Sequence, residues 1–334
     1  MKRIGIAGAT GLVGETLLRL LEASPHPVEE LRLFASSRSA GTRLAFRDKE
    51  LAVAELSVDG FRGLDLAFFC LENELARKFV PQVSKLCPVI DKSSEFRLKE
   101  GVPLVVPEVN PQALKGHANI IANPNCTTIP LVVALFPLHV RFGLKQVTVT
   151  SLQSVSGAGL QALAQLYYET EFLALRRPPD SEGSPFKLPI ADNLLPQIGA
   201  FDQAGHSGEE NKLIHETRKI LGLPDLLINA TCVRVPITIG HSLAVTCRFG
   251  QRVKPKEANA VLKDAAGVVL YVGERFATPL DCRSNDMVYV SRVRPGAAPD
   301  ELNLWVLTDN LRKGAALNAL QIAERLFSDK SEAL

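Results

Sequence analysis

Cys126 is the residue of this chain that is best placed to do chemistry. It lies in the run Asn-Pro-Asn-Cys-Thr-Thr at 123–128, between apolar stretches at 120–122 and 129–135. A cysteine at the point where a loop turns into a helix feels the positive end of the helix dipole, which lowers the thiol pKa and favours the nucleophilic thiolate. A lone cysteine is more often a buried structural thiol, so this run alone leaves both interpretations open.

Arg234 and His241 could assist such a nucleophile. They are seven positions apart, and Pro236 and Gly240 interrupt the strand pattern between them. A guanidinium can clamp a carboxylate with two hydrogen bonds, and an imidazole can shuttle a proton near neutral pH. Taken singly, each residue is better interpreted as structural, the arginine in an ion pair and the histidine in a capped loop.

A predicted helix begins at Ser207 and carries further charged side chains. Glu210 follows three residues later, which is the spacing of a capping box. Glu209, Lys212 and Glu216 share one face of this helix. The ordinary interpretation of such a face is that it is solvated and joined by ion pairs.

A glycine-rich turn joins the first predicted strand to the first predicted helix. Residues 3–7 are typical of a short buried strand, residues 8–14 have the spacing G-x-x-G-x-x-G, and apolar residues then recur at helical spacing. Glycines let the backbone approach a pyrophosphate, and the helix N-terminus attracts its charge. In this strand–turn–helix setting we predict a dinucleotide site rather than a purely structural turn.

The loop after the second strand bears on the choice of nucleotide. The strand at 31–35 leads into Ser-Ser-Arg-Ser-Ala-Gly at 36–41. An NAD enzyme would be expected to place an acidic residue here, and this loop has none. Ser36, Arg38 and Ser39 suit a 2′-phosphate, so the loop favours NADP, although an ordinary polar loop with a solvated arginine is equally compatible with these residues alone.

Alternating strands and helices indicate the fold class of the first half. Further strands are predicted at 64–69 and 88–91, with a helix at 74–86 between them, and 104–106 and 119–122 could add strands. This alternation predicts an α/β domain with a doubly wound parallel sheet of the Rossmann type. The cysteine run then stands at the end of a strand, where such sheets bind ligands.

The pattern changes to period-two alternation after residue 144. This half predicts an α+β domain with a mixed or antiparallel sheet, whose strand-like runs are 146–152, 227–235, 243–249, 287–293 and 302–306. Residues 176–206, rich in Pro, Gly and polar residues, predict a long irregular excursion. A C-terminal helix has an apolar stripe that we expect to pack on the first domain, formed by Ala316, Leu320, Ala323 and Phe327.

Composition excludes several classes of protein. A chain of 334 residues predicts two domains, and a net charge of +2 argues against nucleic-acid and membrane-surface partners. No apolar run is long enough to span a bilayer, and a strand pattern begins directly after Met1, so we expect neither a membrane span nor a signal peptide. The six scattered cysteines suit free thiols in a reducing cytoplasm rather than disulfides or a metal site.

Together these segments resemble the NADP-dependent aspartate-semialdehyde dehydrogenase family of bacterial type. The resemblance runs from Gly8 to Ile322, and its motifs occur in the family's order. They are GATGLVG at 8–14, SSRSAG at 36–41, SSEFR at 93–97, VPEVN at 106–110, NPNCTT at 123–128, QSVSGAG at 153–159, EENK at 209–212, RVP at 234–236, GHS at 240–242 and DNLRKGAALNA at 309–319.

The resemblance implies catalytic roles for four residues. Cys126 would be the nucleophile that forms a thioester, with Asn125 supporting it. Gln153 would orient the acyl intermediate, and His241 would be the general acid/base.

The resemblance also implies the binding residues. Arg234 would bind the substrate α-carboxylate and Glu209 its amino group, while Arg97 and Lys212 would hold phosphate. The implied cofactor contacts are Gly8, Thr10, Gly11, Leu12, Val13, Gly14, Ser36, Arg38, Ser39, Ser156, Gly157 and Asn310.

The implied reaction is the NADPH-dependent conversion of L-aspartyl-4-phosphate to L-aspartate 4-semialdehyde and phosphate. It serves the biosynthesis of lysine and diaminopimelate, threonine, methionine and isoleucine. The expected protein is a cytoplasmic homodimer with an NADP-binding domain at 1–126, completed by a C-terminal helix at 310–334, and a catalytic and dimerisation domain at 127–309.

The sequence departs from the family pattern at two places, and two alternative functions remain open. Leu152 stands where the family often has Tyr, and the 176–206 segment does not align. An N-acetyl-glutamyl-phosphate reductase would share the cysteine chemistry but, with an acylated amine as substrate, has less need of Glu209. A non-catalytic dimeric paralogue is the other alternative, although Cys126, Gln153, Arg234 and His241 are all present.

Overall fold

Two units make up the chain in the computed structural model, which describes residues 2–177 and 183–331. The first unit comprises residues up to 125 together with those from 315 onward, and the second comprises 126–314. The first domain predicted from the sequence includes Cys126 and residues 310–314. The structure places them in the second, where the side chain of Asn310 hydrogen-bonds to Ser154, Ser156 and Gly240.

A seven-stranded sheet forms the first unit, in the order β3-β4-β2-β1-β5-β6-β7. Its strands are β1 Arg3–Ala7, β2 Glu30–Ala35, β3 Arg43–Phe46, β4 Lys49–Glu55, β5 Leu66–Phe69, β6 Val89–Asp91 and β7 Ile120–Ala122. Every neighbouring pair is parallel except β3 with β4, which confirms the doubly wound α/β prediction. The β3–β4 hairpin itself was missed.

The possible strand at 104–106 is wrong. Leu104 makes a single parallel bridge to Ala122, and no strand forms. Pro103 and Pro107 flank the segment, and a proline cannot donate a hydrogen bond to a ladder.

Helices cover both faces of the first sheet. They are α1 Leu12–Ala23, α2 Asn73–Val83 and the C-terminal helix α8 Leu317–Ser331, with short 3₁₀ turns at Asp59–Phe61 and Pro111–Gly116. Leu17 and Leu21 of α1 share one core cluster with Leu320 and Ala323 of α8. The C-terminal stripe therefore packs on the first unit, and Phe61 belongs to a second cluster that includes α2.

A six-stranded mixed sheet forms the second unit, in the order β11-β12-β13-β10-β8-β9. Its strands are β8 Leu144–Gln153, β9 Leu227–Arg234, β10 His241–Phe249, β11 Val268–Leu270, β12 Val288–Pro295 and β13 Glu301–Thr308. The β8–β9 and β11–β12 pairs are parallel and the rest are antiparallel. The predicted α+β class is confirmed.

Five α-helices and two shorter turns accompany this sheet in the described part of the second unit. They are α3 Thr128–Phe142, a 3₁₀ turn at Val155–Ala158, α4 Leu160–Ala174, α5 Gly208–Leu221, α6 Pro255–Lys263, α7 Pro279–Cys282 and a π-turn beginning at Arg312. The capping box predicted for α5 is confirmed: Ser207 accepts a hydrogen bond from the Glu210 backbone, and the Glu210 side chain accepts one from the Ser207 backbone.

The segment at 176–206 is irregular over its described part. Residues 183–206 contain no helix or strand, only bridges such as that between Leu195 and Arg234. The fully buried carboxylate of Glu169 on α4 accepts hydrogen bonds from the backbones of Ile190 and Ala191, at 2.6 and 2.8 Å. Residues 178–182 lie outside the described structure.

Across residues 2–177 and 183–331, none of the helices has the length and apolar character needed to cross a bilayer.

Candidate active site

Cys126 is half-buried and lies two residues before the first residue of α3. Its placement fits the N-terminal helix position that favours a thiolate. Gly314 lets its own segment pass close to Cys126. A Cβ at position 314 would lie 3.3 Å from the Cys126 carbonyl oxygen and 3.4 Å from the Cys126 Cβ.

The other thiols are poor candidates for the nucleophile. Burial raises the pKa of Cys70 and Cys87 to about 11, and that of Cys232 and Cys282 to about 12. Burial also raises the pKa of Cys247. These five side chains stay protonated at neutral pH, and only a thiolate attacks effectively.

The strand register of the second sheet brings three predicted residues to one edge. Gln153 and Arg234 are paired at the carboxyl ends of the parallel strands β8 and β9. His241 begins β10, which is antiparallel to β8. The Arg234 guanidinium donates to the Ser154 carbonyl at 2.8 Å, and the Ser154 N–H donates to His241 Nδ1 at 3.1 Å. The backbone of a single residue, Ser154, therefore links Arg234 to His241.

Gly157 provides the space between these two side chains. A Cβ at this position would lie 2.9 Å from Arg234 Nη1 and 3.2 Å from His241 Nε2. Ser156 and Asn310, expected at the cofactor, also lie here, where Asn310 Nδ2 donates to Ser156 Oγ at 2.9 Å.

Two carboxylates of α5 are buried, so the ordinary interpretation of this face as solvated does not hold for them. Glu209 and Glu216 are 5% and 1% exposed, because α5 packs against α3 and β9. Glu209 forms an ion pair with Lys212 at 3.1 Å. A buried carboxylate beside a half-exposed lysine can bind an ammonium and an anion next to each other.

The charged groups of the site affect one another's pKa values. Burial lowers the pKa of Arg234, while Glu209 and Cys126 oppose that shift. Burial lowers the pKa of His241 to about 3; the Arg234 cation adds to this and Glu209 opposes it. His241 is therefore neutral at physiological pH, and a thiolate at Cys126 would find a cation within electrostatic reach.

The glycine turn lies in the first unit. Gly8 has φ +81°, and a Cβ on Gly14 would collide with the Gly8 carbonyl oxygen. Gly11 is the N-cap of α1 and leaves the first backbone N–H groups of the helix without a side-chain cap. These features fit a dinucleotide pyrophosphate at the helix N-terminus. Arg38 lies in the loop after β2, and its side chain is exposed.

Arg97 and Asn125 also belong to the first unit, whereas Cys126, Lys212 and Arg234 belong to the second. Arg97 and Asn125 are largely buried, at 7% and 6% exposure. Arg97 donates from Nη2 to the Lys92 carbonyl.

Ser154 is a site residue that the sequence analysis did not single out. Its contact with His241 joins positions 87 residues apart, and no local sequence pattern predicts such a contact.

Comparison with known proteins agrees with this architecture. Residues 3–117 match the model for the NAD-binding domain of semialdehyde dehydrogenases, and residues 135–313 match the model for their dimerisation domain. The chain is 41% identical to an aspartate-semialdehyde dehydrogenase of Aquifex aeolicus, covering 98% of both, and 40% identical to one of Bacillus subtilis, covering 97% and 96%.

Solved structures give the same result. Aspartate semialdehyde dehydrogenase II of Vibrio cholerae, also solved in complex with ASA, superposes with a TM-score of 0.94 at 40% identity over 98% of each chain. A Candida albicans enzyme solved with NADP superposes with a TM-score of 0.76 at 26% identity over 98% of each chain. With its thiol, buried arginine and histidine on the matching fold, the chain belongs to the aspartate-semialdehyde dehydrogenase family.

Proposed function

We propose that this protein reduces L-aspartyl-4-phosphate to L-aspartate 4-semialdehyde, with release of phosphate and with NADPH as reductant. The observation that carries the proposal is the grouping of charges around the buried Arg234, which lies within electrostatic reach of Cys126 and Glu209 and, with Glu209, acts on His241. A nucleophile, a cation, a buried carboxylate and an imidazole match a substrate that is an activated acid, a carboxylate and an amine at once.

Substrate binding follows from the charges. The buried Arg234 would bind the α-carboxylate, and its guanidinium is already fixed by the Ser154 carbonyl, so little entropy is lost on binding. Glu209 would bind the ammonium. Lys212, the more exposed partner of Glu209, and Arg97 are the proposed phosphate ligands.

The first chemical step forms the thioester. The Cys126 thiolate attacks the carbonyl carbon of the acyl phosphate, and the C–O bond to phosphate breaks. Phosphate leaves with the electron pair of that bond and takes up one proton from the solvent. The proposed cations would stabilise the charge that develops on it. Asn125 and Gln153 are the proposed supports of the nucleophile and of the acyl group.

The second step is reduction, for which the nicotinamide cofactor supplies hydride when bound. Residues 8–14 would hold its pyrophosphate, with contacts proposed from Ser156, Gly157 and Asn310. His241 is the proposed acid/base group at the carbonyl oxygen. The carbonyl then re-forms as the C–S bond breaks, which returns Cys126 as the thiolate.

NADP rather than NAD is the proposed cofactor. Arg38 is exposed in the loop after β2 and is flanked by Ser36 and Ser39. A guanidinium and two hydroxyls can bind a 2′-phosphate through charge-assisted hydrogen bonds. The free thiols make a cytoplasmic location part of the same proposal.

A homodimer through the second unit is also proposed, in keeping with the matched dimerisation domain. β9 is an edge strand of its sheet, and Leu227 on it is 61% exposed. Tyr167 on α4 and Leu194, at 63% and 60% exposure, lie on neighbouring elements tied together by Glu169. Tyr167→Asp should give a monomer in analytical ultracentrifugation. An unchanged sedimentation coefficient would show that the dimer interface lies elsewhere.

A steady-state assay tests the function. Oxidation of aspartate semialdehyde with phosphate and NADP should be rapid, and it should be much slower with N-acetyl-glutamate semialdehyde. Glu209, buried and ion-paired, favours the free amino acid over the acylated one. Preference for the acylated substrate would indicate the reductase alternative. Absence of turnover with both, in a protein that still binds NADP, would indicate the non-catalytic paralogue.

A further inference from the structure

A second row of polar side chains lies behind the candidate catalytic residues of the mixed sheet. The first row contains Gln153 and Arg234, which are paired at the carboxyl ends of β8 and β9. Two residues earlier on the same strands, Ser151 and Cys232 are paired in the same register. Because alternate residues of a strand point to the same face, this second row, Ser151 and Cys232, lies on the face that carries the first.

Ser151 is in direct contact with Gln153. The Gln153 amide donates from Nε2 to Ser151 Oγ at 3.2 Å, and the two side chains are 1% and 0% exposed. The backbone of Gln153 is fixed separately, since its carbonyl accepts a hydrogen bond from the Val235 N–H at 3.0 Å. Ser151 therefore acts on the functional end of the glutamine, where the amide is, and not on its backbone.

The Cys232 thiol orients the hydroxyl of Ser151. An amide nitrogen can only donate, so Ser151 Oγ accepts from Gln153 and keeps its own proton for a second partner. Burial raises the pKa of Cys232 to about 12, and a side-chain hydrogen bond with Ser151 acts in the opposite direction. A bond that favours the thiolate is one in which the sulfur accepts. The hydroxyl proton of Ser151 thus faces the sulfur, and a lone pair faces the amide.

The second row lies near the nucleophile but has no chemistry of its own. Charges at Glu209 and Cys126 add to the effect of burial on the Cys232 thiol, so the row is within electrostatic reach of the site. That thiol stays protonated at neutral pH, and only a thiolate would attack. Since Ser151 is fully buried behind Gln153, its influence on the reaction passes through the amide that it holds.

We propose that Ser151 is a positioning residue, which fixes the side-chain amide of Gln153 in the orientation that the acyl intermediate requires. This inference rests on the proposed function and adds a residue to it. A glutamine that is not held loses much rotamer freedom whenever it takes up one orientation. Without the hydroxyl, the amide would occupy other rotamers, and a smaller share of the thioester would have the reacting geometry. The KM for aspartate semialdehyde should not change, because Arg234 and Glu209 are the proposed ligands of the free substrate.

Ser151→Thr and Ser151→Val separate the hydroxyl from the packing. Both variants add a methyl group at the same place, and they differ only in whether the other branch is a hydroxyl or a second methyl. In the full-length protein we expect kcat to be about 10-fold lower in the valine variant than in the threonine variant, the effect of one buried hydrogen bond. The KM for aspartate semialdehyde should be the same in both. Equal kcat values would overturn the proposal.

A double-mutant cycle with Gln153→Ala tests whether Ser151 acts through the amide. Ser151→Ala only removes atoms, so it avoids the steric problem that a branched side chain could cause, and it should lower kcat about 10-fold in the otherwise wild-type protein. In the Gln153→Ala background the same change should alter kcat by less than about 2-fold, because the partner is already absent. An equal loss in both backgrounds would mean that Ser151 supports the sheet instead of Gln153, which refutes the proposal.

Thr150→Val is the matched control, since it removes a hydroxyl from the neighbouring residue of β8, whose side chain points to the opposite face of the sheet. It should leave kcat unchanged, and a loss as large as that in Ser151→Val would contradict a specific role of Ser151. An active wild-type protein with equal kcat in Ser151→Thr and Ser151→Val refutes this inference alone. Failure of the wild-type protein to oxidise either aldehyde refutes the proposed function and the positioning role with it.

Discussion

The α-carbon of Gly157 stands so close to His241 that a methyl group there would lie 3.2 Å from Nε2. The same methyl would lie 2.9 Å from Arg234 Nη1. Neither neighbour can easily move away, because Ser154 holds the guanidinium and the ring with its carbonyl and its N–H. The missing side chain is therefore part of the site.

Gly157→Ala should lower kcat/KM for aspartate semialdehyde by about 10²-fold, because displacements of about 1 Å at a catalytic group have that effect. The thermal stability should change little by comparison. Gly116→Ala is the control, as a Cβ there meets no atom within 4 Å. Equal kinetics for both variants would show that the space beside His241 is not used.

Cys126→Ser should reduce turnover by at least about 100-fold, because a hydroxyl is a much weaker nucleophile than a thiolate. Mass spectrometry of wild-type protein mixed with acyl phosphate, without reductant, should detect the acylated cysteine, and the variant should show none.

Cys87→Ser is the matched control for the nucleophile, since burial raises the pKa of that thiol to about 11. It should keep its acylation and most of its turnover. Near-normal turnover in Cys126→Ser would remove the thioester from the mechanism.

The parts of the molecule that follow from local rules were predictable from the sequence. The capping box at Ser207 needs only residues three apart, and the first strand, glycine turn and helix form one continuous segment. The alternation of strands with helices likewise predicted the parallel sheet. Each of these features depends on neighbours along the chain.

Features that depend on tertiary packing were not predictable in this way. The face of α5 that contains Glu209 and Glu216 is indistinguishable in sequence from a solvated one, and only its packing against α3 and β9 buries it. The contact of Ser154 with His241 exists because β8 and β10 are neighbours in the sheet. The β3–β4 hairpin was missed because its turn contains Arg47 at φ +53° rather than a glycine.

Arg38→Ala should raise the KM for NADPH by about 10-fold or more while leaving that for NADH nearly unchanged, since a charge-assisted pair with phosphate is lost only in the first case. Arg43→Ala, which removes an exposed arginine of β3, serves as the control. Equal losses with both nucleotides would show that Arg38 does not contact the 2′-phosphate.

Asp91 predicts an unusual dependence of stability on pH. Its side chain is fully buried at the end of β6, and Oδ1 has no hydrogen-bond partner in the described structure. Burial raises its pKa from 3.8 to about 6, although Ser93 and Arg97 act in the opposite direction. Because the folded protein holds this proton more tightly than the unfolded chain, the contribution of Asp91 to stability falls as pH rises from about 4 to 6 and stays low above that range.

Asp91→Asn removes this penalty, since an amide stays neutral and can still accept a hydrogen bond from Ser93 through its oxygen. At pH 8 the variant should gain up to about 3 kcal/mol in its free energy of unfolding relative to the wild type, and at pH 4 the gain should vanish. Urea denaturation at both pH values measures the difference, with Asp59→Asn, on an exposed 3₁₀ turn, as the control. A gain of the same size at pH 4 and pH 8 would mean that Asp91 ionises as it does in the unfolded chain.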